Sequence, residues 1–347
     1  MTRTVDFQYI VVRSGADYGK LQPIRNARPT LFMNESAMIK TSLSGDFVQN
    51  DDVDWLTDQI RPELVIDGVA HPLGLYLPAT VTPIEDENTK SVHVEAFDRC
   101  WLVRDNYTAG ILHISAGALY TTVIRQLLTL AGIAVMIVTP SAAAIAEARE
   151  DWDIGTSYLT IINDLLGEIN YNPLWFDATG AAIVEPASVP TAANIEHTLD
   201  DSNVESLLLP EIRRETDVYQ APNVFICVVS NADKNAAMVA TAVNDNPQSP
   251  LSVTRRGRRI VQVKHLNNIA SQEELQAYAD RLRNESLFTG ETITVRTGLL
   301  PGFGVADVTA LHYGDLAAIC IERSWTMELV VGGVMTHKLD KVVIALG

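Results

Sequence analysis

The sequence predicts a β-rich α+β protein, in which two antiparallel β-barrel or β-sandwich domains flank an α+β insert. Three observations lead to this prediction. Apolar and polar residues alternate through much of the first and last thirds of the chain, as they do in half-buried strands. The middle third carries apolar residues at helical spacing instead. A capped helix, predicted over 272–287, then interrupts the second β-rich part.

The first predicted domain, residues 1–110, consists of strands. Val5 and Phe7 alternate with polar residues, and further strand-like runs follow. Asp67-Gly68 lies between two such runs and predicts a tight hairpin, because both turn positions need a positive φ. About six or seven strands would form a meander that closes as a barrel or packs as a sandwich.

The middle domain, residues 111–205, is predicted to be a small α+β unit. Apolar spacing predicts helices over 118–130 and 157–169, and an Ala-rich stretch after Pro140 predicts a further helix over 141–150. The sequence PLWFDATGAAIVEP then predicts a two-stranded hairpin. A hairpin this short is stable only when it packs on the helices.

The last domain, residues 206–347, is predicted to be a second β domain with the helix 272–287 inside it. Ser271 and Glu274 have the spacing of a capping box, in which each side chain bonds the other's backbone amide. The helix then carries one apolar stripe. Its members are Leu275, Tyr278, Ala279 and Leu282.

Strands are predicted on both sides of this helix. Before it, Val261 and Val263 alternate with Gln262 and Lys264, and the same period of two returns over 291–297. No catalytic signature lies near this strand–helix–strand passage. It therefore favours a role in assembly over a role in chemistry.

Composition limits the class of protein. The chain has 347 residues, of which 47% are apolar, so it can form sizeable cores. It carries 43 acidic and 26 basic residues, and the net charge of −17 disfavours general affinity for nucleic acid or anionic membranes. No stretch has the roughly 20 apolar residues of a membrane helix, and the N-terminus resembles a strand rather than a signal peptide. Cys100, Cys227 and Cys320 are predicted to be buried, free thiols in a reducing compartment.

Residues that could support chemistry are scattered. The histidines form no pair at helical spacing and no HExxH motif, so no metal site is predicted. Carboxylates cluster at 51–54, 85–87 and 151–153; they could serve glycoside hydrolysis, although acidic clusters at turns are usually solvated. GFG at 302–304 lacks the pattern of a phosphate-binding loop and predicts a turn. We therefore predict no catalytic residue, no metal and no cofactor.

One dense basic run, RRGRR, contains Arg255, Arg256, Arg258 and Arg259. Such a run could contact nucleic acid. In a strongly acidic chain, contact with an acidic neighbouring subunit is the favoured interpretation, because a patch of the minority charge can fix the register between protomers. These four arginines are the candidate subunit-contact residues.

Three passages resemble the tail hub, or baseplate hub, proteins of long-tailed bacteriophages and contractile injection systems. The first is VEAFDRCWLVRDN, residues 94–106, in which a strand leads through an aromatic-Asp-Arg sequence into the insert. The second is 156–186, in which a helix runs into an aromatic hairpin with a DxxG turn. The third is the strand–helix–strand passage 258–297, preceded by APNVFICVVSN. With the order of the units, the resemblance covers most of the chain.

The resemblance implies a structural, non-enzymatic virion protein. Family members form trimeric rings in which each subunit contributes two tail-tube-like β-barrel domains, so three subunits match a six-fold tail tube. This chain would be a homotrimeric hub subunit between the tail tube or a distal tail protein and a spike, fibre or tail-tip protein. The tape-measure protein and DNA would pass through its lumen. We expect it in the virion tail, assembled in the host cytoplasm, without specific nucleic acid or membrane partners.

Two alternatives stay open at the level of sequence. One is a tail-associated lysin, a peptidoglycan hydrolase with a hub-like fold, although no spare segment of about 100 residues follows the second β domain to form a lytic domain. The other is an unrelated acidic enzyme with α+β domains. Cell-wall hydrolysis that is lost on changing the carboxylates at 85–87 would favour an enzyme. The sequence also leaves open whether the tail contracts.

Overall fold

The computed structural model describes residues 3–85, 90–188, 190–216, 221–229, 238–266, 269, 271–288 and 291–342. Most strands pair antiparallel, in one large sheet and two small ones, so the predicted β-rich fold class is confirmed. The path of strands through the large sheet has two open ends within these ranges. It therefore forms no closed barrel there.

The first part of the large sheet contains eight strands. They are β1 Val5–Arg13, β2 Ala16–Leu21, β3 Thr30–Asn34, β4 Thr41–Val48, β5 Gln59–Ile66, β6 Val69–Pro72, β7 Tyr76–Glu85 and β8 Lys90–Asp98. One face packs on a core that includes Tyr9, Leu43 and Phe47. The hairpin at Asp67-Gly68 is confirmed, with a positive φ at both residues. The sequence pattern does not predict β2, because its residues are mostly polar and exposed.

Helices and a small sheet follow. They are α1 Cys100–Asp105, α2 Tyr120–Leu130, β9 Met136–Val138, α3 Tyr158–Glu168, β10 Trp175–Phe176 and β11 Ala182–Val184. Strand β11 pairs antiparallel with β10 and parallel with β9. Helices α2 and α3 share one core with this sheet, through side chains such as Ile124, Leu159 and Leu165. We call α2, α3 and β9 to β11 the insert. Its predicted hairpin and its helices at 118–130 and 157–169 are confirmed.

The prediction of a helix over 141–150 is wrong. This segment is extended and irregular, and it pairs with the chain that precedes α2. The amide of Ile145 donates to the carbonyl of Ala118, and the amide of Arg149 donates to that of Ile114. Helix propensity contributes less than about 1 kcal/mol per residue, so these bonds and the burial of Ile145 and Arg149 outweigh it.

The described remainder of the chain contributes two α-helices and nine strands. In order they are β12 His197–Asp200, β13 Arg213–Glu215, β14 Val224–Val229, β15 Met238–Val243, α4 Val253–Arg256, β16 Val261–Leu266, α5 Gln272–Phe288, β17 Thr292–Thr297, β18 Val308–Tyr313, β19 Leu316–Glu328 and β20 Met335–Lys341. Strands β12, β13 and β17 to β20 belong to the large sheet. Strands β14 to β16 form a separate sheet.

One strand pairing joins the two β-rich parts of the chain. Strand β3 pairs antiparallel with β19, from Thr30 opposite Glu328 to Asn34 opposite Ser324. The neighbour order of the large sheet is β13-β17-β20-β19-β3-β4-β8-β7-β5-β1-β2. Three further strands lie off this path: β18 pairs with β19, β12 pairs with β18, and β6 pairs with β5. The N-terminal and C-terminal strands thus share one continuous sheet.

Strands β14 to β16 and helix α5 form a second small unit, which we call the α5 unit. The central strand β14 pairs antiparallel with β15 and parallel with β16. Helix α5 covers one face of the sheet through Leu275 and Ala279, both fully buried, which pack in one cluster with Cys227. The predicted strand–helix–strand passage is confirmed element by element. However, β16 lies in the small sheet and β17 in the large one.

The start of α5 ties this unit to the insert. The Oγ of Ser271 accepts a hydrogen bond from the amide of Glu274 at 3.1 Å, as the sequence predicts. The Glu274 carboxylate has a partner that the capping-box pattern does not predict, because it accepts from the Nδ2 of Asn170 at 2.6 Å. A charge-assisted bond of this length is a strong link between two units.

Candidate subunit interface

The four arginines predicted to contact a neighbouring subunit lie at one end of the sheet in the α5 unit. Arg255 and Arg256 end α4, Gly257 follows in the left-handed conformation with φ 63°, and Arg258 and Arg259 lead into β16. Arg255, Arg258 and Arg259 are exposed, and Arg256 is half-buried. The residues before the glycine form a short helix. We call these four residues the arginine patch.

A buried amide fixes the backbone of this loop. Asn223 is fully buried, and its Nδ2 donates to the carbonyl oxygens of Leu251 and Arg258 at 3.0 Å each. Its Oδ1 accepts from the amide of Ile260 at 2.8 Å. Leaving such a buried group unpaired costs about 1–3 kcal/mol, so the loop has one favoured arrangement. Sequence reasoning missed Asn223, because a single polar residue before an apolar strand is a weak signal.

Arg256 connects the patch to the chain before β14. Its Nη1 donates to the carbonyl oxygen of Ala221 at 2.7 Å. Desolvation lowers the pKa of Arg256, and the positive charge of Arg258 lowers it further. The Oγ of Ser252 caps α4 by accepting from the amide of Arg255 at 3.2 Å. Local contacts therefore hold the patch in place at the surface of the α5 unit.

Beside the arginine patch, one face of the small sheet is made mostly of aliphatic side chains. Residues paired across strands point to the same side of a sheet, so nine residues share this face. They are Val224, Ile226 and Val228 on β14, Val239, Thr241 and Val243 on β15, and Val261, Val263 and His265 on β16. Helix α5 lies on the opposite side. We call these nine residues the valine face.

The outer strands of the valine face are open to solvent. Val239, Val261 and Val263 are 51%, 50% and 48% exposed, whereas Val224 at one end of the face is buried. On β16 it is Gln262 and Lys264 that lie on the same side as α5. Alternation of this kind normally places the apolar residues against a core. Here the valines face away from the helix.

A second polar cluster lies in the large sheet, at the GFG loop between β17 and β18. The ring of Phe303 stacks on that of His197, with centroids 3.9 Å apart, and lies 4.7 Å from the ring of His337. The Nε2 of His197 is 2.9 Å from the Oδ2 of Asp307. The Nδ1 of His337 is 2.8 Å from the Oε2 of Glu322. The predicted turn at this loop is confirmed.

This cluster ties strands of the large sheet together. Glu322 and His337 are fully buried, and the Nε2 of His337 is 3.1 Å from the Oγ1 of Thr297. Burial raises the pKa of Glu322, and the charge and hydrogen bond of His337 oppose this shift. The bonds link β17, β19 and β20, which is the function of a buried polar network in a core. The sequence carries no signal for it, because its members are far apart in the chain.

Several of the carboxylates considered for catalysis contact neighbouring protein groups. Asp54 accepts hydrogen bonds within its own turn. Asp151 pairs with Arg149 at 2.6 Å, and Glu85 pairs with Lys90 at 3.7 Å. The other two members of the cluster at 85–87 lie outside the described residues. These contacts are typical of turn and surface carboxylates.

Histidine and cysteine offer no further site in the part of the chain that the structure describes. No three His, Cys, Asp or Glu side chains there are grouped as metal ligands. Cys100, Cys227 and Cys320 are free and buried, as predicted. Burial raises the pKa of each thiol, that of Cys320 to about 12, which makes them poor nucleophiles. No helix within the described ranges has the length and apolarity to cross a bilayer.

Comparison with known proteins identifies the fold. No protein-family model and no curated protein sequence matches the chain. The 43 kDa tail protein of prophage MuSo2 from Shewanella oneidensis superimposes with a TM-score of 0.67 at 12% identity, over 96% of this chain and 98% of that one. A tail protein from Neisseria meningitidis gives 0.67 at 11%, over 96% of both chains. A prophage tail protein from Listeria monocytogenes gives 0.58 at 12%, over 96% and 94%.

The chain has the fold of these phage tail proteins. Within this tail-protein fold, the passage 94–106 is the crossing from the large sheet to the insert. The buried Asp98 carboxylate accepts from the amides of Cys100 at 2.8 Å and Thr41 at 2.7 Å. Burial raises the pKa of Asp98, and these bonds oppose the shift. The Asp of the aromatic-Asp-Arg sequence thus fixes the angle at which the chain leaves β8.

The passage 156–186 contains the helix and hairpin of the insert. Ser157 caps α3 by accepting from the amide of Thr160 at 3.2 Å. In the DxxG turn, the Oδ1 of Asp177 accepts from the amides of Thr179 and Ala181 at 2.9 Å each. Gly180 ends the turn at a φ of 82°, a conformation that other residues adopt at a cost. The sequence therefore predicts this part of the tail-protein fold correctly.

Proposed function

We propose that this chain is a structural subunit of a phage tail hub. The observation that carries the proposal is the match of almost the whole chain to phage tail proteins, with TM-scores up to 0.67. The β3–β19 pairing supports it, because one chain supplies two sets of strands in a continuous sheet. Two sets in each of three subunits would match the six-fold tail tube that the family resemblance implies.

In this role the hub joins the tail tube, or a distal tail protein, to a spike, fibre or tail-tip protein. The tape-measure protein and DNA pass through the lumen. The net charge of −17 supports this position, since an acidic wall repels phosphate. The protein is located in the virion tail after assembly in the host cytoplasm. It has no specific nucleic acid partner, no membrane partner and no catalytic function.

Open strand edges and the arginine patch are the proposed contacts of a homotrimer. Strands β2 and β13 lie at the two ends of the path through the large sheet and are largely exposed. Exposed edges pair readily with other strands, and a closed assembly satisfies them. The arginine patch would add contacts to the acidic surface of an adjacent subunit. These interfaces need no cofactor.

The mass of the purified chain in solution tests this proposal. Light scattering coupled to size exclusion should give three times the 38.0 kDa mass of one chain, and negative-stain images should show a ring with a central opening. A chain that stays monomeric at every concentration would contradict the homotrimer. Hydrolysis of purified peptidoglycan would contradict the non-enzymatic function and would support a tail-associated lysin.

The arginine patch can be tested in the same experiment. Reversing Arg255→Glu and Arg259→Glu together should weaken association by about 10-fold at low salt and by less at high salt, because charged contacts at the rim of an interface are screened. The matched control is Arg25→Glu with Arg28→Glu, which changes the net charge equally at two exposed positions outside the patch. Equal weakening by both pairs would show that net charge, and not the patch, controls association.

A further inference from the structure

The valine face combines strand-forming residues with high exposure. All of its members except His265 are β-branched, a composition that suits strands packed against another layer. An antiparallel sheet with one solvated face normally carries polar residues there. On β16 the polar Gln262 and Lys264 lie on the side of α5, and the valines lie on the open side. The residues of this face are therefore typical of a buried sheet face, although no described part of the chain covers it.

We propose that the valine face is a buried interface of the assembled protein and that a second copy of this chain covers it. This inference rests on the proposed hub function, which supplies the homo-oligomer. The valine face would be a third contact surface, separate from the open strand edges and from the arginine patch.

Charge favours a second copy as the occupant. The arginine patch borders the end of the face where β14 and β16 begin. The whole chain carries a net charge of −17, so another copy presents the acidic surface that such a rim requires. Nucleic acid would also attract the arginines, but its phosphate backbone gains nothing from covering valines. An apolar centre with a charged rim is the usual anatomy of a protein–protein interface.

The size of the face favours a ring over an isolated pair. Three strands of six residues cover about 300 Å², from a rise of about 3.3 Å per residue and a strand spacing of about 4.8 Å. A stable interface buries about 800 Å² on each partner. The valine face can therefore be the apolar centre of a contact that also includes the arginine patch and neighbouring elements. A closed ring, in which each subunit has two neighbours, supplies such additional area.

Thiol labelling of the full chain tests this inference. In the variant Val263→Cys the new thiol lies on the face, while the native cysteines are buried. Maleimide should react about 10-fold or more slowly in the associated protein than in the dissociated protein, because labelling then needs the interface to open. The matched control is Val69→Cys on β6, where the valine is 60% exposed. It should react at the same rate in both states.

A charge on the face gives a second readout. Val263→Asp should weaken association by about 30-fold, because an unpaired carboxylate would lie against apolar groups, whereas Val69→Asp should leave association unchanged. The trimer can form while both readouts fail, with Val263→Cys labelled as fast as Val69→Cys and Val263→Asp associating normally. In that case the valine face is not an interface, and the hub function stands. If the unmodified chain never associates, the homotrimer and the interface at the valine face are both overturned.

Discussion

The insert and the α5 unit have similar architectures but differ in what covers them. Each contains a three-stranded sheet with one antiparallel and one parallel pairing, and each packs a helix on that sheet. In the insert every residue of the central strand β11 is buried. In the α5 unit the central strand β14 has two half-buried members on the valine face, Ile226 and Val228. Outer strands are more open in both units, with Ile137 on β9 59% exposed and Val239, Val261 and Val263 about half exposed. A strand pattern thus shows that a face is suited to burial, but it does not show whether the same chain covers it.

The arginines of the two units show the same contrast. Arg149 is buried in the insert, where its Nη1 and Nη2 donate to the two carboxylate oxygens of Glu168 at 2.6 and 2.9 Å. The hydroxyl of Tyr120 donates to the same carboxylate at 2.8 Å. Arg255, by contrast, is exposed at the rim of the α5 unit. The first arginine has its partners within the chain, and we propose that the second has them in a neighbouring subunit.

The largest difference in the free energy of unfolding is expected between substitutions of these two arginines. Arg149→Met should lower the free energy of unfolding by about 3–5 kcal/mol, because it leaves the Glu168 carboxylate buried and unpaired. Arg255→Met should change it by less than about 0.5 kcal/mol, as surface substitutions usually do. Denaturant unfolding of the dissociated chain measures both values. Similar losses for the two variants would contradict the contrast between the units.

A smaller difference in the free energy of unfolding is expected between Val→Ala substitutions in the two small sheets. Val184→Ala removes buried atoms from β11 and should cost about 2 kcal/mol, the sum of lost burial and the cavity left behind. Val263→Ala on β16 should cost about 0.5 kcal/mol or less in the dissociated chain. The same denaturant experiment compares them. If Val263→Ala proves as costly as Val184→Ala, the valine face is already covered within one chain.

The smallest effect on the free energy of unfolding is expected from losing the hydrogen bond between Asn170 and Glu274, which joins the two units. Asn170 has a φ of 56°, so Asn170→Gly removes the side chain without straining the backbone. It should cost about 1.5 kcal/mol, the value of a hydrogen bond to a charged group. A double-mutant cycle with Glu274→Ala isolates the coupling between the two side chains. Strictly additive losses would mean that the bond contributes nothing to holding the units together.

Features that depend on neighbours in sequence could be predicted. The hairpin at Asp67-Gly68 and the Ser271 cap depend on residues a few positions apart, and the structure places both as expected. The subunit contact of the arginine patch stays a prediction. The resemblance to tail proteins is confirmed at the level of the fold. The division into domains 1–110, 111–205 and 206–347 stays a prediction.

Features that depend on distant parts of the chain could not be predicted. The segment 141–150 has the composition of a helix, but its backbone pairs with residues before α2. The period of two in β16 identifies a strand, although not the sheet to which it belongs or the side that stays open. The cluster of His197, Phe303 and His337 forms only when separate strands meet. In each case the deciding contact is far away in the sequence.

We propose that copies of this chain form a hub ring and cover one another's valine faces. Electron cryomicroscopy of the assembled protein tests this claim most directly. The reconstruction should show three copies around a central opening, with each valine face against the neighbouring copy and the arginine patch at the edge of that contact. A particle without threefold symmetry, or a ring in which the valine faces are open to solvent, would contradict the claim.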